Sequence, residues 1–166
     1  MFSGIYTPIV TPFKKDESLD YGKMAHNLAR WGDTDLAGIV VLGSNGEFIY
    51  LSHQEKLDVI KFAINNFNKD KKVIVGTSYD STIETIRFIK EAADIGADGV
   101  LVLPPHYYKG NMNEDILYRH FIDVAEESPV PVMLYNMLRN TGINLSSSLV
   151  AKLAKHPNIL GIKDTS

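Results

Sequence analysis

Cysteine is absent from the 166-residue chain, which removes disulfides, thiolate zinc sites and thiol nucleophiles from consideration and fits the reducing cytosol. Nor does any stretch approach the roughly 20 apolar residues of a membrane span. The first eight residues, Met-Phe-Ser-Gly-Ile-Tyr-Thr-Pro, lack the basic segment and the apolar run of a signal peptide. A soluble cytoplasmic protein is therefore expected. A large excess of either charge is also lacking: the formal net charge of -3 gives no electrostatic footprint for nucleic acid or for an anionic membrane. His26, His53, His106, His120 and His156 fall at no metal-ligand spacing, and there is neither H-E-x-x-H nor a paired-carboxylate motif, so chemistry without a metal is expected. The nucleophile elbow G-x-S-x-G, the dinucleotide fingerprint G-x-G-x-x-G and the P-loop are missing too. No linker or low-complexity stretch divides the chain, and its length suits one domain, residues 1–166.

What is present is a repeated pattern. Six apolar runs, Ile5 to Val10, Gly38 to Leu42, Val73 to Val75, Gly99 to Leu103, Val130 to Tyr135 and Ile159 to Ile162, read as buried strands. Five helical patterns lie between them. Asp20 precedes the first. Ser52 with Glu55, and Ser81 with Glu84, have the S-x-x-E spacing of a capping box. The fourth and fifth start near Asn113 and Ser146. Leu57, Ile60, Ile64 and Phe67 recur at helical spacing, as do Leu117, Phe121 and Val124, giving each helix an apolar stripe. Strands alternating with crossover helices imply an α/β fold with a parallel sheet. An open doubly wound sheet and a (β/α)8 barrel both suit this order. Six strands cannot close a barrel, while the turn after strand 1, Thr11-Pro12-Phe13, is not the Gly-rich loop that usually announces the open sheet.

In both architectures ligands bind at the carboxyl ends of the strands, and the residues there carry the chemistry. The last run ends in Lys163. Plain alternation would put Ile159, Gly161 and Lys163 on one face and Leu160 and Ile162 on the other, with Gly161 leaving space beside the lysine stem. An amine held in such an apolar place becomes a nucleophile toward a carbonyl, although a lysine at a strand end also serves simply by reaching solvent. After strand 2 comes Gly43-Ser44-Asn45-Gly46-Glu47. Its two glycines permit a tight turn with positive φ, the amides and hydroxyl between them suit a small carboxylate, and Glu47 reads as a brace for the turn. Tyr107 and Tyr108 follow strand 4 and Tyr135-Asn136 ends strand 5. A positioned phenol shuttles protons, though packing is the commoner use of such a tyrosine.

In order and spacing these residues resemble the dihydrodipicolinate synthase and N-acetylneuraminate lyase family of pyruvate-dependent class I aldolases. The match runs from Gly4 to Ser166. It rests on Thr7-Pro8 through Thr11-Pro12-Phe13, on Gly43-Ser44-Asn45-Gly46-Glu47 followed by Leu51-Ser52-x-x-Glu55, on the Tyr107 region, on Tyr135-Asn136 with Thr141-Gly142, and on Gly161-Ile162-Lys163. The resemblance implies a (β/α)8 barrel with a C-terminal helical extension, commonly a homotetramer, of which this chain covers about the first six units. It implies that Lys163 forms the imine with pyruvate, with no other cofactor, and that Ser44 and Asn45 hold the substrate carboxylate. It makes Tyr135 the proton relay and Tyr107 the tyrosine that in many members enters from a neighbouring subunit. The implied partners are a small 2-oxo acid and further copies of the chain.

Two departures bear on substrate. The synthase has an arginine before the Thr-Gly that follows strand 5, where this chain has Asn140, with Arg139 one place earlier. The synthase turn also carries two threonines in place of Ser44-Asn45. Both changes look more like 4-hydroxy-2-oxoglutarate aldolase, which yields pyruvate and glyoxylate, than like the synthase, which remains the alternative. A third reading is a truncated, inactive chain kept as an assembly partner, whose first and last strands would offer open edges for pairing.

Overall fold

The computed structural model describes residues 2–165, and their contacts gather into two compact units. One holds the residues up to Gly76 together with Asp94–Asp98, the other Thr77–Ala93 and the residues from Gly99 onward. All six expected strands form.

In the first unit β1 (Tyr6–Pro8), β2 (Gly38–Val41) and β3 (Lys72–Gly76) lie parallel in that order, with Thr7 beside Ile39 and Ile39 beside Val73. Helix α1 (Tyr21–Gly32) starts where the Asp20 carboxylate accepts the Lys23 amide, and buries Met24 and Leu28, four residues apart. Helix α2 (His53–Asn66) opens on a complete capping box between Ser52 and Glu55. Its buried stripe is Lys56, Val59, Ile60, Ala63 and the capping Phe67, while Leu57 and Ile64 are half-buried. The stripe is thus turned from the one the apolar residues suggested, because the four-carbon stem of Lys56 packs like an apolar side chain, with its ammonium 5.7 Å from the centre of the Phe48 ring. Burial lowers the pKa of that ammonium.

The second unit takes α3 (Thr82–Ile95) as far as Ala93, with β4 (Gly99–Val102), α4 (Glu114–Glu127), β5 (Val132–Asn136), the short α5 (Leu138–Thr141), α6 (Ser147–Leu153) and β6 (Ile159–Asp164). Asn113 and Ser146 cap α4 and α6, the helices expected to start near them. At α3 the Ser81 hydroxyl accepts the Glu84 amide at 3.4 Å, but the Glu84 carboxylate meets Arg87 at 2.5 Å. Strands β4, β5 and β6 are parallel neighbours, and Val100, Val102, Val132, Leu134 and Ile159 pack with Leu117, Phe121 and Val124 of α4 and Leu149 and Leu153 of α6.

Strand β6 does not alternate simply. Val132 pairs with Ile159, but the next residue, Met133, pairs with Gly161, so Leu160 is an extra residue, a β-bulge, and is 49% exposed. Ile159 and Ile162 therefore both serve the helical core, while Gly161 and Lys163 emerge on the opposite face beside Met133 and Tyr135. The expected grouping of Ile159 with Gly161 and Lys163 is wrong in its first member, since the bulge resets the phase between them. A Cβ on Gly161 would meet nothing within 4 Å, so the space expected beside the lysine is present.

One buried histidine makes the unit acid-sensitive. His120 of α4 is 3% exposed, with Nδ1 2.9 Å from the Thr82 hydroxyl, and burial pushes its pKa down to about 4 against an opposing pull from the Asp80 charge. The folded state thus prefers the neutral ring, and the unfolded chain takes up the proton first. This contribution to stability is present above about pH 6.5 and is lost as the pH falls toward about 4. The loss amounts to about 3 kcal/mol. Urea unfolding across that range should show the decline, and His120→Leu should flatten it.

Candidate functional site

Lys163 and Tyr135 are cross-strand partners near the carboxyl ends of β6 and β5. Their side chains share the sheet face away from α4 and α6, and the Lys163 ammonium lies 4.2 Å from the centre of the Tyr135 ring. Tyr135 is buried and Lys163 half-buried. The amine thus lies over a ring face, and the phenol attached to that same ring lies in the amine's own neighbourhood.

The next residue along each strand fixes this pair. Asn136 is 3% exposed, and its Nδ2 donates to Asp164 Oδ1 at 3.1 Å, joining the ends of β5 and β6, and to Asn144 Oδ1 at 3.0 Å. Its Oδ1 accepts the Leu145 amide at 3.1 Å. Its carbonyl accepts both the amide and the hydroxyl of Thr165, each at 3.0 Å. One amide side chain thus ties two strand ends to the loop that carries Arg139 and Asn140. Asn136 was visible in the sequence only as part of a motif; Asn144 and Asp164 were missed, and polar residues closing two neighbouring apolar strands were the available signal.

The turn that carries Ser44 and Asn45 belongs to the first unit. It follows β2 directly as a 3-10 turn, Ser44–Gly46, with Asn45 exposed and Ser44 half-buried. The glycines do not supply the positive φ expected of them, for Gly43 has φ -75, and the left-handed residues are Leu42 (φ 57) and Glu47 (φ 52). Gly46 is required instead for close approach: a Cβ there would stand 3.2 Å from the Ile9 carbonyl oxygen, and the Thr11 hydroxyl donates to its own carbonyl at 2.7 Å. Leu42, fully buried in a conformation that L side chains rarely adopt, turns its carbonyl onto β3, where a Cβ on Gly76 would be 2.2 Å from it. Glu47 braces the turn through its backbone, donating to the Ser44 carbonyl and accepting from the Tyr50 amide. Its exposed side chain lines a cleft of about 800 Å³ with Asp16, Glu17 and Glu55. Four carboxylates make that cleft unsuitable for an anionic substrate.

Tyr107, by contrast, is turned out to solvent, 77% exposed and edge-to-face with Tyr108 at 5.0 Å. Asn140 and Arg139 are both exposed on α5. Successive residues of a helix point about 100° apart, so a guanidinium at position 139 does not project where one at 140 would.

These positions can be set beside known proteins. The profile of the dihydrodipicolinate synthetase family matches residues 1–166, the whole chain. The chain belongs to that family. Ser166, the last matched residue, lies outside the described ones. Among similar proteins, the 4-hydroxy-tetrahydrodipicolinate synthase of Methanothrix thermoacetophila is 39% identical over 100% of this chain and 55% of its own length. A protein of Emericella nidulans named as a probable mitochondrial 4-hydroxy-2-oxoglutarate aldolase is 41% identical over 98% of the chain and 54% of its own length. Among solved structures, a prophage protein of the same family from E. coli K12, crystallised with pyruvate, superposes with a TM-score of 0.94 at 38% identity, covering 100% of this chain and 55% of that one. The family chain therefore has the α/β fold of a (β/α)8 barrel, of which these residues form the front part. It spans about half the length of the curated relatives it matches.

Proposed function

We propose that this chain carries the imine-forming half of a pyruvate-dependent aldolase that cleaves a 2-oxo acid such as 4-hydroxy-2-oxoglutarate to pyruvate and an aldehyde. The observation that supports this most is the Lys163 amine stacked on the Tyr135 ring at 4.2 Å, at the carboxyl ends of paired strands. The neutral amine adds to the 2-oxo carbon, water leaves, and the iminium withdraws electrons from the neighbouring bond. With a hydroxyl on C4, removal of its proton expels the aldehyde as the C3–C4 pair moves into the iminium to give an enamine. Protonation at C3 and hydrolysis then release pyruvate and regenerate the lysine.

Tyr135 moves the proton in this scheme, with Tyr107 supplied to or from a second copy in a homo-oligomer, which suits its exposure. Ser44 and Asn45 take the substrate carboxylate. Gly161 leaves room beside the lysine stem, and Asn140 offers hydrogen bonds but no charge to the far end of the substrate. No metal or dissociable cofactor is invoked. The second reading, condensation of pyruvate with aspartate semialdehyde, draws on the likeness to the Methanothrix synthase.

Measuring kcat/KM for both reactions on one preparation decides between them. Cleavage of 4-hydroxy-2-oxoglutarate is expected to be preferred, and a clear preference for the semialdehyde would restore the synthase. If neither reaction proceeds and borohydride traps no pyruvate, the inactive assembly partner is what remains.

A further inference from the structure

Tyr107 raises a positional question. A ring that is 77% exposed is not held by packing, yet a proton relay must stand within hydrogen-bond reach of its target. Its place has to be set through the backbone. The loop that carries it leaves β4 through Pro104 and Pro105, and the segment after β3 grips it at two points. The Ser78 hydroxyl accepts the Leu103 amide at 2.7 Å. Asp80 Oδ1 accepts the amides of both His106 and Tyr107, at 2.6 and 2.9 Å. Asp80 is itself well anchored, because the preceding Tyr79 exchanges backbone hydrogen bonds with the Thr85 hydroxyl and sets its ring edge-on to Phe88 at 5.6 Å. We infer that Asp80 is the positioning residue for Tyr107, its carboxylate fixing the two amides that set the direction in which the phenol leaves the chain.

The charge is suited to this. A carboxylate accepting two amides makes charge-assisted bonds, roughly twice as strong as neutral ones. Burial alone would raise the Asp80 pKa, but the amides of Tyr107 and His106 hold it below the usual range. The His106 ring nitrogen Nδ1 stands 3.8 Å from the same oxygen. The clamp therefore stays ionised through neutral pH.

The role rests on the reading of Tyr107 given above, and the test separates the two. Wild type, Asp80→Ala and Asp80→Asn are compared in borohydride trapping with pyruvate, which asks only for the Lys163 amine, and in steady-state cleavage of 4-hydroxy-2-oxoglutarate. Asp80→Ala is expected to form the adduct as wild type does while kcat falls by roughly tenfold to a hundredfold, the scale set by misplacing a reacting group by about an ångström, with KM little changed. Asp80→Asn should recover most of that loss, since an amide oxygen can accept the same two bonds. A wild type that forms no adduct sinks the Schiff-base reading. A normal adduct with undiminished kcat in Asp80→Ala, or no recovery in Asp80→Asn, overturns the role of Asp80 alone. Amide resonances give an arm that is independent of activity. Those of His106 and Tyr107 should move together in wild type as Asp80 is protonated and stay still in Asp80→Asn. Resonances that ignore the Asp80 titration would overturn the clamp.

Discussion

Lys163→Ala is expected to yield no stable adduct when the protein is treated with pyruvate and borohydride, where the wild type yields one, as read by intact mass. Turnover should fall by on the order of 10⁴ or more, the scale seen when a covalent nucleophile is removed. Alanine also removes the stem that covers Tyr135, so Lys163→Arg is the sharper comparison. It keeps a long cationic side chain that can lie on the ring, but a guanidinium does not give up its proton and cannot form the imine. Lys163→Arg should therefore melt close to wild type and trap nothing. If either variant still traps pyruvate, another amine is the nucleophile.

The second large effect is expected at Asn136, which touches no substrate in this scheme. Asn136→Ala loses the bonds to Asp164 and Asn144 and leaves the Leu145 amide without its acceptor. One buried donor left unpaired, added to two lost hydrogen bonds, amounts to about 3 kcal/mol. Denaturant unfolding should show this as a lower midpoint with an unchanged slope. Since the same side chain ties β5 to β6 one residue beyond Tyr135 and Lys163, adduct formation should slow as well. A variant that unfolds like wild type would mean that water or neighbouring groups take over the three bonds.

How far the sequence alone leads differs between fold and site. All six strands and the caps at Asp20, Ser52, Asn113 and Ser146 were legible, because apolar period and cap chemistry are local properties. The choice between an open sheet and a barrel was not, since a closed barrel depends on more units than the chain contains; family likeness settled it. Around the candidate site, residue types were legible and their mechanics were not. The glycines of the Ser44 turn signalled a turn, yet positive φ falls on Leu42 and Glu47, and Gly46 serves close approach. The stripe drawn through Leu57 and Ile64 passed over Lys56, which is core. Asp80 went unnoticed, because the amides it accepts lie 26 and 27 residues away. Pairings of that span leave no local trace.

The bulge at Leu160 gives the lysine a dependence of a different kind. The side of a sheet on which a residue emerges is a matter of parity, and Leu160, half in solvent, is the odd residue that changes it. Were Leu160 instead paired regularly with Met133, with Ile159 still anchored beside Val132, every residue of the strand would survive while Lys163 swung toward α4 and α6, leaving the Tyr135 ring without its amine. The chemistry proposed for this chain therefore depends on one residue being passed over in the pairing. A substitution at Leu160 alters a side chain that does little, and even its deletion would keep Gly161 beside Met133 and Lys163 beside Tyr135, whereas drawing Leu160 into the ladder would exchange the two faces of the strand.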